Sequence, residues 1–313
     1  MEKTRRTIRI GKRAIDLSSE DKILFPKAKI TKGEFIAYYQ QIAPCMIPFM
    51  KSRPVTLHRF PDGIKGEGFY QKEASGYFPE WIDRIAVKNK TEGATHYVMC
   101  DDVATVVYLA NQGTLEFHLW LSKAKKLNYP DHMIFDLDPS RGVTFAMVRW
   151  VAKKIKELLE ALGLPTYVML TGSRGVHIWV PLKAAQTYEY VHAFAYDVAQ
   201  LVTLLYPEKT TIEMSKAKRG KRIFIDYLRN TFGQTGVAPY SVRPNEKAAV
   251  ATPIGWHELF VASSDPQKYT IKNMHKRLSR VKDPWADMPK HACSLTAARK
   301  KLSQMIEDAQ QNE

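Results

Sequence analysis

The chain has 313 residues, 45% of them hydrophobic and 25% charged, proportions that suit a soluble globular protein and exclude a disordered, collagen-like or disulfide-built one. Lys and Arg number 47 against 32 Asp and Glu, a formal charge of +15, so the summed field attracts polyanions, nucleic acid first and an anionic membrane surface second. The membrane reading weakens because no apolar run reaches the roughly 18 residues of a spanning helix and MEKTRRTIRIGKR has no secretory apolar segment behind it. Cys45, Cys100 and Cys293 are too scattered for a disulfide framework or a cysteine zinc site, so a cytosolic protein with reduced thiols is expected.

No internal repeat, low-complexity linker or proline cluster divides the chain, which favours one unit over residues 1–313. Phe35, Tyr38, Tyr39 and Ile42 have helical spacing in residues 30–43, and Pro44 and Pro48 should end that helix. Strands are expected at Val55 to Phe60, Thr95 to Met99 and Val103 to Ala110. The second half opens with a strand from His132 to Asp138 and a Pro-Ser-Arg-Gly turn. A helix follows on Val148, Val151, Ile155, Leu158, Leu159 and Leu162, stopped by Gly163. Then come a strand at Thr166 to Leu170, a turn Thr171-Gly-Ser-Arg-Gly175 and a strand at Val176 to Val180. A helix from Tyr188 to Leu205, a basic segment, a strand at Arg222 to Leu228 and a charged helix near Leu295 to Ile306 complete the order. This is a mixed α/β chain without the regular alternation of a doubly wound sheet.

Three segments carry chemistry. In Phe135-Asp-Leu-Asp-Pro139, strand alternation puts Asp136 and Asp138 on one face, where two carboxylates repel unless one is protonated or a hard divalent cation sits between them. Such a pair also simply ends strands at proline turns. Asp226 interrupts the apolar strand Ile223 to Leu228, paired there either with Arg229 and the Lys216 to Arg222 cluster or with a metal. Three strand-borne acids in so basic a chain point to metal-dependent phosphate chemistry. The turn at Thr171 to Gly175 offers backbone amides, a hydroxyl and the Arg174 guanidinium to an anion, with His177 two residues on. It matches neither the P-loop nor the dinucleotide fingerprint. Arg229 and Arg243 flank the acids, and Phe69-Tyr70 beside Lys72 is a candidate stacking platform for unpaired bases.

Taken in order, Asp21-Lys-Ile-Leu-Phe-Pro, Ile30-Thr-Lys-Gly, Arg53-Pro, Phe69-Tyr-Gln-Lys, Leu115-Glu-Phe-His118, Phe135-Asp-Leu-Asp-Pro, Thr171-Gly-Ser-Arg-Gly-Val-His, Ile223-Phe-Ile-Asp-Tyr-Leu-Arg-Asn and Ala238-Pro-Tyr-Ser-Val-Arg resemble the polymerase domain of ligase D. That domain is a branch of the archaeo-eukaryotic primase superfamily working in non-homologous end joining. The resemblance implies a primase-polymerase fold with an acid-bearing central sheet flanked by helices, residues 1–125 holding DNA-end and template contacts and 126–313 the catalytic part. It implies Asp136, Asp138 and Asp226 as catalytic acids binding two Mn2+ or Mg2+ ions, and His118, Thr171, Arg174, His177, Arg229 and Arg243 around a nucleoside triphosphate. Lys22 and Lys32 would hold a downstream 5′-phosphate, Phe69 or Tyr70 would stack on the template, and Arg219 would face DNA.

The implied activity is nucleotide addition, ribonucleotides preferred, at primer 3′ ends of gapped or broken DNA by a two-metal mechanism. Ku and a separate ligase are the implied partners, and the location is cytoplasmic and nucleoid-associated. A primase acting without a primer, a two-metal nuclease and a non-catalytic nucleic-acid-binding protein are the alternatives. This chain departs from the family pattern at Thr171 and Arg174, where Ser and Lys are common, and at Asn245, where another arginine is common and Lys247 is a substitute. No Lys-x-Asp-Gly sequence is present, so sealing activity is not expected.

Overall fold

Alternation of apolar residues with a few acids builds the sheet that matters most. In the computed structural model, which describes residues 6–89 and 91–311, strand His132–Pro139 lies at the centre of a six-stranded sheet. Its neighbours are Ile223–Asp226 and the short Thr210–Thr211 on one side, and Val176–Pro181, Tyr167–Leu170 and Thr252–Ile254 on the other. All pairings are antiparallel except that of Thr210–Thr211. One face carries Phe135, Leu137, Val176, Ile178, Ile223 and Ile225, fully buried against helices Phe145–Ala161 and Tyr188–Leu205. The opposite face carries the acids and, further along, Ile134 and Trp179, which join the core shared with the first half of the chain.

A second six-stranded sheet runs Thr235–Val237, Thr114–Trp120, Val55–Arg59, Ala94–Val98 and Arg84–Lys88, with Phe69–Gln71 pairing Val55–Arg59 from the side. The strand Thr235–Val237 crosses over from the second half of the chain, and a Cβ on its Gly236 would meet Ile134 Cδ1 at 2.8 Å. The two sheets thus approach closely where the glycine lets them. Two hairpins, Arg6–Ile10 with Arg13–Leu17 and Ile23–Phe25 with Ile30–Thr31, complete the first half. No helix among the described residues is long and apolar enough to cross a membrane.

The sequence expectation fails in two elements. The run at Val103 forms a helix, Val103–Asn111, not a strand. Its β-branched residues favour a strand, but the Asp102 side chain accepts from the Thr105 amide at the N-terminus and nearly every side chain of the helix is buried, so capping and packing override propensity. The first long helix runs Lys32–Met50, straight through Pro44 and Pro48. Each internal proline costs about 3 kcal/mol. Burial of Phe35, Ile36, Tyr39, Ile42, Met46, Phe49 and Met50, at about 2 kcal/mol each, offsets that cost, and Thr31 and Glu34 close a capping box at the start.

Candidate active site

Strand register assembles the acids. Asp136 stands opposite Asp226 on one neighbouring strand and opposite His177 on the other, while Asp138 shares its face two residues along. One carboxylate oxygen from each of Asp136, Asp138 and Asp226 falls within 4.8 Å of the others. The residue that interrupts an apolar strand therefore completes the pair that the D-x-D spacing began.

Basic side chains surround this cluster. Arg229 Nε lies 3.2 Å from Asp226 and its terminal nitrogen 3.6 Å from Asp136, and His177 Nε2 lies 3.3 Å from Asp136. Arg229 sits on a short helical turn, Leu228–Asn230, which Asn230 ties to the acid strand. Asn230 Oδ1 accepts from the Ile134 amide, and its Nδ2 donates to the Ile134 and Tyr227 carbonyls. The Asp226 carboxylate also accepts from the Leu228 amide at 2.9 Å.

The three acids are not equivalent. Burial pushes Asp136 upward, but His177, Arg229 and Arg243 outweigh it and hold its carboxyl at about 2. Asp138 is raised to about 6, first by burial and then by the charges of Asp136 and Asp226. Burial also raises Asp226, against the pull of Arg229. Three hard oxygen donors, one of them forced toward protonation by the other two, fit a divalent cation of the magnesium or manganese kind.

A divalent cation held by these three carboxylates would displace the Asp138 proton. Mn2+ affinity measured by titration should therefore fall below pH 6, by about tenfold per unit, and level off above it. An affinity flat from pH 5 to 8 would remove Asp138 from the ligand set.

The glycine turn packs directly against these acids. A Cβ on Gly175 would lie 1.9 Å from the carbonyl oxygen of Leu137, the residue between Asp136 and Asp138. Gly172 has φ +68°, and a Cβ there would meet Arg243 Cγ at 2.8 Å. Thr171 is buried, and its hydroxyl donates to the Gly175 carbonyl and accepts from the Ser173 amide, so it closes the turn instead of reaching out. Arg174 is exposed and lines a cavity of about 470 Å³ with Ser140, Arg141 and Gln267. Asn245 donates to the Gly172 carbonyl and so braces the turn, while Lys247 beyond it is exposed.

Arg243 spans the cleft. It donates to the Thr171 carbonyl at 3.2 Å and meets Glu116 Oε1 with its Nε at 2.5 Å. Glu116, on the second sheet, is buried, and its other oxygen contacts His58 Nδ1 and, at 3.3 Å, His118 Nε2. Burial pushes Glu116 up, yet Arg243 and both imidazoles hold its carboxyl well below the usual range. Tyr70 stacks on His58 with centroids 4.0 Å apart and planes 8° apart.

The expected DNA contacts divide. Phe69 and Tyr70 are 45% and 60% exposed, so both members of the pair are accessible, Tyr70 over His58 and Phe69 beneath the Arg59 guanidinium. Lys22 and Lys32 meet at the hairpin of Ile23–Phe25 and Ile30–Thr31, where the Lys32 amide donates to the Lys22 carbonyl. Lys32 Nζ is buried on the carbonyl and hydroxyl of Ser18, and burial, followed by the charge of Lys22, lowers it to about 8. Lys22 Nζ contacts the Pro61 carbonyl and Asp62. Arg219 is buried, donates to the Glu213 and Met214 carbonyls and lies 3.7 Å over the Phe224 ring, so it organises its own loop. The exposed cations of that loop are Lys216, Lys218 and Lys221.

Comparison with known proteins decides the family. The pattern described as "LigD, primase-polymerase domain" matches residues 31–285. The chain belongs to the LigD primase-polymerase family. It is a nucleotidyltransferase of the polymerase type. Among curated relatives of this LigD-type chain, the bifunctional non-homologous end joining protein LigD of Bacillus subtilis is 34% identical over 274 residues. That alignment covers 87% of this chain and 44% of the relative. The multifunctional LigD of Mycolicibacterium smegmatis is 32% identical over 255 residues, covering 81% of this chain and 33% of the relative. The chain thus spans less than half of the length of either LigD protein. The solved polymerase domain of Mycobacterium tuberculosis ligase D in complex with DNA superposes with a TM-score of 0.82 at 28% identity, covering 88% of this chain and 98% of that one. It shows the LigD polymerase fold for this chain.

Proposed function

We propose that this chain adds nucleotides to primer 3′ ends at gaps or double-strand breaks in non-homologous end joining, taking ribonucleotides in preference to deoxyribonucleotides. The observation that carries the reading is the convergence of Asp136, Asp138 and Asp226 within 4.8 Å beneath Arg229 and His177, with Arg243 beyond. Polyanion donors and carboxylates crowd one cleft, an arrangement that suits a triphosphate entering with divalent cations. Asp136, Asp138 and Asp226 would hold those ions, Mn2+ or Mg2+, which when bound neutralise charge on the attacking and leaving oxygens.

The chain's own donors do the rest. Arg229, Arg243 and Arg174 offset the triphosphate charge, His177 sets its Nε2 beside Asp136, and His118 faces the cleft from the opposite sheet. Glu116 keeps Arg243 in place before the nucleotide arrives. Tyr70 presents a ring face to an unpaired template base. The strand Thr235–Val237, lent by the second half to the first half's sheet, supports residues 1–313 acting as one unit. Ku and a DNA ligase would bring and seal the ends.

The test is a labelled gapped duplex with a 5′-phosphate, Mn2+ and each nucleotide in turn. Extension by ribonucleotides ahead of deoxyribonucleotides is expected. Shortened product without nucleotide would favour a nuclease, and synthesis on a template lacking any primer would favour a primase.

The lysine hairpin sets a second expectation. Replacing Lys22 and Lys32 by Ala should weaken binding to 5′-phosphorylated gaps by roughly tenfold while hydroxyl ends lose little, since only a specific anion contact tells the two apart. Preference for the phosphate should also decline above pH 8, where Lys32 sheds its proton. Equal losses on both ends would remove the lysines from phosphate recognition.

A further inference from the structure

The cluster of His58, Glu116 and His118 is chemically unlike the aspartate trio. Glu116 and His118 are two residues apart on strand Thr114–Trp120 and so share a face, and His58 stands directly opposite Glu116 on the adjacent strand. One donor atom from each residue lies within 4.8 Å of the others, and Glu116 Oε2 contacts both His58 Nδ1 and His118 Nε2. Two imidazoles and one carboxylate are the ligand set of open zinc sites. Aspartate oxygens alone favour magnesium, calcium or manganese.

We propose that His58, Glu116 and His118 form a second metal site, selective for zinc or a similar borderline transition metal and separate from the Asp136, Asp138 and Asp226 site. With metal bonds of about 2.0–2.1 Å, tetrahedral ligand atoms stand roughly 3.3 Å apart. The His118 to Glu116 separation is already 3.3 Å. His58 Nδ1 lies closer than that to the same oxygen, so for a metal to enter, its ring must draw back with the proton carried on Nε2.

Two neighbours orient the ligands. Arg243 occupies Glu116 Oε1 and leaves Oε2 to the ion, and Tyr70 fixes the plane of the His58 ring by stacking. Three protein ligands leave the fourth position of a tetrahedral shell to solvent or an anionic ligand. This site depends on the strand register and the side chains alone, and it stands whether or not the chain polymerises.

The experiment uses tag-free protein carrying Asp136→Asn and Asp138→Asn, which removes the hard-oxygen site. Zn2+ titration against a chromophoric chelator should show one equivalent bound. Adding His58→Ala and His118→Ala should weaken it by about tenfold or more, with circular dichroism reporting whether the fold is kept. Cu2+ paramagnetic resonance on the protein with its histidines intact supplies a reading independent of those replacements. It should show coupling to two nitrogens per ion. No zinc equivalent, zinc binding unchanged by loss of both histidines, or a copper spectrum without nitrogen coupling would overturn the assignment.

Discussion

Replacing Asp138 by Ala is expected to cut nucleotide addition on the order of 10³-fold or more, while affinity for gapped DNA stays close to the starting value. Asp138 supplies one of the three oxygens within 4.8 Å, and neither Asp136 nor Asp226 can take its position, because each already faces the Arg229 guanidinium, at 3.6 Å and 3.2 Å. The same position carries a stability signature of opposite sign. An acid whose folded pKa is raised from 3.8 to about 6 contributes stability that is complete below the unfolded value and lost as pH rises through 6. At pH 8 without metal, Asp138 therefore weakens the fold, and Asp138→Asn should raise the melting temperature as it abolishes extension. At pH 4 most of the gain should be lost. Extension that survives in Asp138→Ala would remove the aspartates from the chemistry.

The acids and their strands were legible because a two-residue period is local: Asp136 and Asp138 share a face by spacing alone, and Asp226 stands out as one charge among Ile223, Phe224 and Ile225. The helices Phe145–Ala161 and Tyr188–Leu205 were legible from their apolar stripes. What escaped depends on pairing between distant strands. Glu116 lay within a recognised motif, but its role follows from the register that sets His58 opposite it and from Arg243 arriving from a loop well over a hundred residues later. His58 carried no signal of its own in the sequence. The local role of Arg219 was hidden for a related reason: a basic run reads as a solvated face, and only coordinates reveal that this guanidinium donates to carbonyls of its own loop. Asn230 ends the Ile223 to Asn230 motif with no chemical signal of its own, yet its three hydrogen bonds to backbone set Arg229 over the acids.

Gly175→Ala should be the most damaging change that touches no functional group. The added methyl would lie 1.9 Å from the Leu137 carbonyl oxygen and 3.0 Å from its carbon, both backbone atoms of the central strand, so no side chain can swing aside to admit it. Either the turn or the strand must retreat by about 1 Å, a displacement that typically costs on the order of 100-fold in rate when it moves reacting groups. Because Leu137 lies between Asp136 and Asp138, the retreat alters the spacing of the acids directly. Overpacking of this kind should also lower stability by about 3 kcal/mol. The nearby Gly142→Ala is the control: φ is +84° there, but a Cβ would meet nothing within 4 Å, so only the strain of a left-handed alanine, about 1 kcal/mol, is expected. Melting curves and single-nucleotide extension rates on both variants separate the two cases. If Gly175→Ala melts and extends like Gly142→Ala, close packing of the turn on the acid strand does not set the geometry of the site.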